Sequence, residues 1–162
     1  MWKKSDPVSI RLANRNDALG VAHCFYNAVH EKGEGFYLDD VLNEWAPPVT
    51  EARIDEHYHQ LLDPDLEIFV AEAKGTIIGV MIVHLPEHKI KGLYVPSNPY
   101  GLVGTRLVKC AKERMKELGQ EEVALDAAMP AVEFYQSRGF TETGRTFERR
   151  GMEYVPMKSK LN

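Results

Sequence analysis

Two cysteines in 162 residues leave no disulfide framework to read. Cys24 and Cys110 fall inside helical patterns far apart in sequence, as buried free thiols in a reducing compartment would, and the cytoplasm is the expected location. No apolar run approaches the ~20 residues of a membrane span. The start, Met1-Trp2-Lys3-Lys4-Ser5-Asp6-Pro7, has lysines with no apolar stretch behind them and is not read as a secretory signal. No G-x-x-x-x-G-K-[ST] loop is present, which speaks against ATP or GTP, and no G-x-S-x-G elbow, which speaks against a serine hydrolase of that type. His57-Tyr58-His59 points its two imidazoles to different faces of a helical pattern, so no metal is expected. A basic stripe with interleaved aromatics is also missing and the formal net charge is −4, which speaks against nucleic acid.

What is present is ordinary in bulk and uneven in detail. An apolar share of 44% and a charged share of 27% suit one soluble domain, expected over residues 8–162 behind a flexible N-terminus of residues 1–7. Between Glu31 and Glu56 stand eight acids and two bases; between Lys89 and Gly119 stand seven bases and two acids. The acidic block suits a cationic substrate and the basic block an anion, although solvated helix faces would leave the same imprint.

The hydrophobic pattern changes period along the chain. Val8 to Leu12 alternates as a strand. Ala18 to Val29 carries a helical stripe that Gly33 and Gly35 end. Phe36 to Trp45 is a second helix stopped by Pro47-Pro48, and Thr50 opens a third. Leu66 to Ala71 and Thr76 to Leu85 make a hairpin around Lys74-Gly75, with Gly79 as a candidate bulge. His88 to Val95 is a strand, Leu102 to Leu118 a helix ended by Gly119, and Glu122 to Asp126 a buried strand. Pro130 starts a short helix that Gly139 ends. Phe140 to Arg149 and Glu153 to Lys158 form a last antiparallel pair around Arg150-Gly151. The order β-α-α-α-β-β-β-α-β-α-β-β predicts an α/β fold (α+β mixed): a mostly antiparallel mixed sheet of about seven strands with helices on both faces.

Strand, loop and helix meet at Leu93 to Leu107, where the loop Pro96 to Leu102 runs straight into a helix N-terminus. Such a start presents unpaired N–H groups and the positive end of a helix dipole, a site for phosphate or pyrophosphate. Pro99 has no N–H, so the donors are expected from Tyr100 onward.

That segment, the run Ala131-Val132-Glu133-Phe134-Tyr135-Gln136-Ser137-Arg138-Gly139-Phe140 and the ending Gly151 to Lys158 together resemble the GNAT superfamily of N-acetyltransferases over nearly the whole chain. The stretch Phe36-Tyr37-Leu38-Asp39-Asp40-Val41-Leu42-Asn43-Glu44-Trp45-Ala46-Pro47 is similar to an early segment of one branch of it. The resemblance implies a splayed central pair of parallel strands with acetyl-CoA in the gap. It assigns the cofactor to Leu93, Tyr94, Val95, Tyr100, Gly101, Leu102, Val103, Gly104, Thr105 and Phe134, and the acceptor side to Tyr37 and Trp45. The match has departures: Leu102 stands where the family loop has its first glycine, and Ala128 where many relatives carry an asparagine.

The resemblance also implies the chemistry. An amine attacks the thioester directly, and Tyr135, whose phenol keeps its proton at neutral pH, serves as general acid toward the departing CoA thiolate. A backbone N–H near Tyr94 or Val95 faces the developing oxyanion. A lysine-like amine arrives as ammonium and needs a base; Asp126 is the first candidate, with His84, His88, Glu72 and Tyr94 behind it, and an N-cap or turn role is the plain alternative for Asp126. Arg138 is expected to cap its helix. The acceptor is a small-molecule or protein amine, cationic by the acidic block, with a second copy of the chain as a candidate partner. The rival reading is a non-catalytic acyl-CoA-binding or regulatory domain.

Overall fold

The computed structural model describes residues 5–161; the first four residues of the expected N-terminal tail lie outside the described residues, as does Asn162. Eight strands and five α-helices follow one another as β1 (Val8–Leu12), α1 (Ala18–Gly33), α2 (Asp39–Trp45), α3 (Glu51–Leu62), β2 (Leu66–Ala73), β3 (Thr76–His84), β4 (Lys89–Tyr94), α4 (Val103–Glu117), β5 (Glu122–Ala128), α5 (Val132–Ser137), β6 (Thr141–Glu142), β7 (Phe147–Arg149) and β8 (Met152–Lys160). Local chemistry sets several of these limits. Asn14 Oδ1 accepts from Asn16 N–H to cap the short 3-10 turn before α1, and Asn14 N–H donates in return to Asp17 Oδ2. The Thr50 hydroxyl accepts from Arg53 N–H at the start of α3. The β2–β3 hairpin turns through Lys74 and Gly75, both at positive φ.

All strands join one mixed sheet in the order β1-β2-β3-β4-β5-β8-β6, with β7 also on β8. Every pairing is antiparallel except β4 with β5. The main core lies on the face covered by α4 and α5, around Met81, Val83, Leu107, Met115, Leu125 and Phe140. Two smaller clusters lie on the other face: Val21, Cys24, Val70 and Val80 under α1, and Phe25, Val29, Leu42 and Ala46 between α1 and α2. Gly79 lets α4 approach the sheet, since a Cβ there would stand 2.9 Å from both Leu107 and Val103. The bulge expected at this glycine is found beside it, where Ala71 faces Gly79 but Glu72 already faces Ile77.

Two expectations are corrected. The stretch Phe140 to Arg149 is not one strand. It forms two short ones, β6 and β7, both on the long β8. Between them Thr143 N–H donates to Pro156 O (2.9 Å), and Pro156 has no N–H to return, so the ladder lapses there. Cys110 is half-buried rather than buried; Cys24 is buried, and both thiols are free.

Candidate active site

β4 and β5 run together only at their beginnings. Lys89 stands opposite Ala124 and Ile90 opposite Leu125; beyond that the ladder stops, although both strands continue. The cause is a bulge in β4. Ile82 faces Gly92 and Val83 faces Ile90, so Lys91 is an extra residue that bends the strand away from β5. The gap opens into a cleft of about 740 Å³.

One wall of the cleft belongs to the α4–α5 face. Leu93, Tyr94, Val95, Leu102, Val103, Gly104, Thr105, Phe134 and Tyr135, all named as site candidates from the sequence, line it. Phe134 packs beside the α4 start, 3.4 Å from where a Gly104 Cβ would lie. Helix α4 has Leu102 at its N-cap with no side-chain cap, so the first-turn N–H groups of Val103, Gly104 and Thr105 have no acceptor within the helix. Gly101 (φ 69°) and Leu102 (φ 55°) turn the chain into that helix through the left-handed region. Tyr100 and Gly101 do not line the cleft. Tyr100 N–H is already given to Asn98 Oδ1 (3.0 Å), and its ring packs on the main core. The available donors therefore begin at the helix itself.

Tyr135 is buried, its ring set between Phe134 and Phe140 at centroid distances of 5.2 and 5.6 Å. Burial, with a smaller contribution from Tyr94, raises its pKa well above that of a free phenol, so it stays protonated. No hydrogen bond from its hydroxyl to a described residue is present, and the residue faces the cleft. Arg138 lies outside the cleft lining, with its guanidinium over the Phe134 ring at 5.6 Å.

The opposite wall belongs to the α1–α2 face. Tyr37 and Trp45 line it, with ring centroids 6.3 Å apart. Tyr94 crosses between the two walls. Its ring meets Phe25 edge-on at 4.4 Å, and burial pushes its pKa up to about 12. Beneath it, the Cys24 thiol donates to Tyr94 O (3.6 Å), and burial raises that thiol to about 12. Neither cysteine lines the cleft, and a neutral buried thiol is no nucleophile.

Asp126 sits where β4 and β5 part. Its Oδ2 accepts from Lys89 Nζ (2.7 Å) across the split, while its Oδ1 has no hydrogen bond among the described residues. Of the other base candidates, Tyr94 lines the cleft. His84 lines a separate cavity of about 480 Å³ between α3 and β3, and Glu72 is paired with Arg11. His88 lines neither cavity. Among the described residues no group of three or more His, Cys, Asp or Glu side chains is gathered to hold a metal ion.

The charge of the cleft was not legible in the sequence. Of the eight acids between Glu31 and Glu56, only Glu44 lines it. Lys32, Lys89, Lys91, Arg149 and Arg150 face Glu44 and Asp126 there.

A mixed sheet with one parting parallel pair, laid against an uncapped helix start, is the architecture of an acyl-CoA-dependent transferase. The profile of the acetyltransferase (GNAT) domain matches residues 28–161, and the chain belongs to that family. It is an acetyltransferase with acetyl-CoA as donor. Solved structures agree in fold. A GCN5-related N-acetyltransferase from Rhodopseudomonas palustris is 22% identical, with 99% of each chain covered and a TM-score of 0.82. The PaiA N-acetyltransferase from Thermoplasma acidophilum, solved with coenzyme A, is 20% identical over 94% of this chain and 98% of that one, with a TM-score of 0.75. A ribosomal-protein-alanine N-acetyltransferase from Brucella melitensis is 18% identical over 94% and 99%, with a TM-score of 0.69. No curated protein matches the chain significantly. Among the described residues no helix is long and apolar enough to cross a membrane.

Proposed function

We propose that the protein is an N-acetyltransferase that moves the acetyl group of acetyl-CoA onto a primary amine by direct attack. The observation that carries this reading is Tyr135: a protonated phenol facing the cleft beside Phe134 and the α4 start, its hydroxyl with no hydrogen-bond partner among the described residues. First-turn N–H groups of α4 hold the pyrophosphate. Leu93, Tyr94 and Val95 offer the free edge of β4 along the gap, where a backbone N–H can meet the thioester oxygen as it gains charge. The amine nitrogen forms a bond to the acetyl carbon, the carbon–sulfur bond breaks, and Tyr135 gives its proton to the leaving sulfur and is reprotonated with the proton the nitrogen sheds on becoming the amide.

The acceptor reaches the cleft from the α1–α2 wall, past Tyr37 and Trp45. It arrives as a cation, since an amine with a pKa near ~10.4 is ammonium at neutral pH. Asp126, through its unbonded Oδ1, is the group that takes the proton from it. On that reading Asp126→Asn loses rate near neutral pH and regains it as pH approaches the amine's own pKa; a loss equally deep at every pH would remove Asp126 from the role. The reaction itself is tested by free-CoA release from acetyl-CoA against polyamines, aminoglycosides, amino acids and lysine peptides, with calorimetric titration of acetyl-CoA alongside. Acetyl-CoA binding with no acceptor turned over would favour a non-catalytic acyl-CoA-binding or regulatory domain.

A further inference from the structure

The turn between β7 and β8 brings two adjacent arginines to the acceptor side of the cleft. Arg150 and Gly151 form that turn at positive φ, and Gly151 packs toward α2, a Cβ there lying 3.8 Å from Val41. Arg149 and Arg150 both line the cleft. Neither side chain makes an ion pair or hydrogen bond with a described residue. Arg149 is steered by its neighbours: its guanidinium lies 5.4 Å from the Phe147 ring centre and 5.7 Å from that of Tyr154, two rings stacked on each other. Both arginines also act electrostatically on Tyr154, which lines the same wall. Helix α2 presents Glu44 to the same cleft, likewise without an ion pair among the described residues.

Unpaired charges of both signs in one cleft suit a ligand of both signs. Guanidinium groups match a carboxylate in geometry as well as charge, since their fork of N–H donors can take both oxygens. A carboxylate such as Glu44 suits an ammonium. We infer that the acceptor is a small amino carboxylate, its carboxylate received by Arg149 and Arg150 and its ammonium guided past Glu44 toward the thioester. This rests on the transferase reading above and narrows its acceptor. A polyamine or aminoglycoside would bring cations alone against Lys32, Arg149 and Arg150, an unfavourable meeting at close range.

The test compares matched acceptors: ornithine with putrescine, tyrosine with tyramine, and glutamate with γ-aminobutyrate as a pair in which the carboxylate shifts relative to the amine. KM and kcat are read for each by CoA release, with the R149Q/R150Q double variant beside the native chain. The expected result is a KM at least about tenfold lower for the acid-bearing member of the first two pairs. In R149Q/R150Q that preference disappears, while KM for acetyl-CoA and the melting temperature stay at native values. Equal or better use of putrescine and tyramine overturns the inference, as does a preference that survives in the double variant. A double variant whose change lies in the choice between acetyl-CoA and succinyl-CoA, not between acceptors, also overturns it, by giving the arginines to the acyl donor. If acetyl-CoA binds and no amine of either kind is acetylated, the transferase reading itself fails, a result distinct from a reversed preference.

Discussion

The ring of Tyr94 lies across the backbone of Gly92, two residues earlier on the same strand: a Cβ on Gly92 would stand 2.5 Å from Tyr94 Cε2 and 2.7 Å from its hydroxyl oxygen. Tyr94 cannot simply swing aside, because Phe25 meets its ring edge-on at 4.4 Å and the side chain packs against the Phe25, Val29 and Leu42 cluster. The residue that bridges the two walls of the cleft is thus held by a missing side chain beneath it.

Gly92→Ala is therefore expected to destabilise the fold by about 1–3 kcal/mol, the usual range for overpacking a filled site. Urea unfolding measures this, and CoA release should fall in parallel because Tyr94 lines the reacting gap. The cause is isolated by a double-mutant cycle. In a Tyr94→Ala background, Gly92→Ala should cost almost nothing; an undiminished cost there would place the strain elsewhere.

Tyr135→Phe separates chemistry from structure unusually well. The hydroxyl has no hydrogen-bond partner among the described residues to lose, so the variant should unfold within about 0.5 kcal/mol of the native chain. Its kcat should nevertheless drop about 10²-fold, the lower range for loss of a general acid. Because burial raises the Tyr135 pKa, its proton is present throughout the neutral range and well into alkali. Any alkaline fall in native activity below pH 10 should consequently persist, unchanged in position, in the residual activity of Tyr135→Phe.

The elements around the cofactor wall were readable because each depends on near neighbours. Helix α4, the Lys74-Gly75 hairpin and the Gly139 stop all follow from local periodicity and turn chemistry, and the cleft lining by Leu93 to Val95, Leu102 to Thr105, Phe134 and Tyr135 was anticipated from the family resemblance, though that of Tyr100 and Gly101 was not met. The acceptor wall was not readable in the same way. Glu44, Lys32 and the Arg149–Arg150 turn come from three distant segments, and counting acids along Glu31 to Glu56 could not tell which of them face inward. The bulge at Lys91 is a property of β3 and β4 together, so no single strand announces it. Pro156 did carry a signal for the split of β6 from β7, since a proline inside a strand marks an interrupted ladder.

Leu102 tests whether the cofactor loop works through its backbone. It takes a left-handed conformation (φ 55°, ψ 13°) as the α4 N-cap while its side chain stands 73% exposed. A β-carbon in that region costs roughly 1–2 kcal/mol, and glycine removes this strain at the expense of about 0.5–1 kcal/mol of chain entropy. Leu102→Gly should thus be neutral or stabilising by up to about 1 kcal/mol in urea unfolding. If the uncapped first-turn N–H groups of Val103, Gly104 and Thr105 hold the pyrophosphate as proposed, the dissociation constant for CoA should stay within about twofold, because they are untouched. A large loss of affinity would mean that the Leu102 side chain, not the helix start, holds the cofactor.

His57 gives the fold a pH dependence of definite sign. It is 2% exposed in α3, its Nδ1 lies 3.1 Å from Gln60 Oε1, and its Nε2 has no partner among the described residues. Burial first, and the nearby Arg53 second, lower its pKa from the ordinary 6.5, outweighing Gln60 and Glu56. The unfolded ring takes up a proton as pH falls through 6.5, whereas the folded ring resists it until a lower pH. The stabilisation from the neutral ring is therefore complete above pH 6.5 and is lost as pH falls toward and through the folded value. The urea midpoint of the native chain should decline from pH 7 to pH 5. His57→Phe, which keeps an apolar ring beside Phe25 and cannot titrate, should show a shallower decline over the same interval. An identical slope in both proteins would assign the acid sensitivity to other groups, such as Asp17, whose pKa is lowered mainly by its hydrogen bond to Arg11.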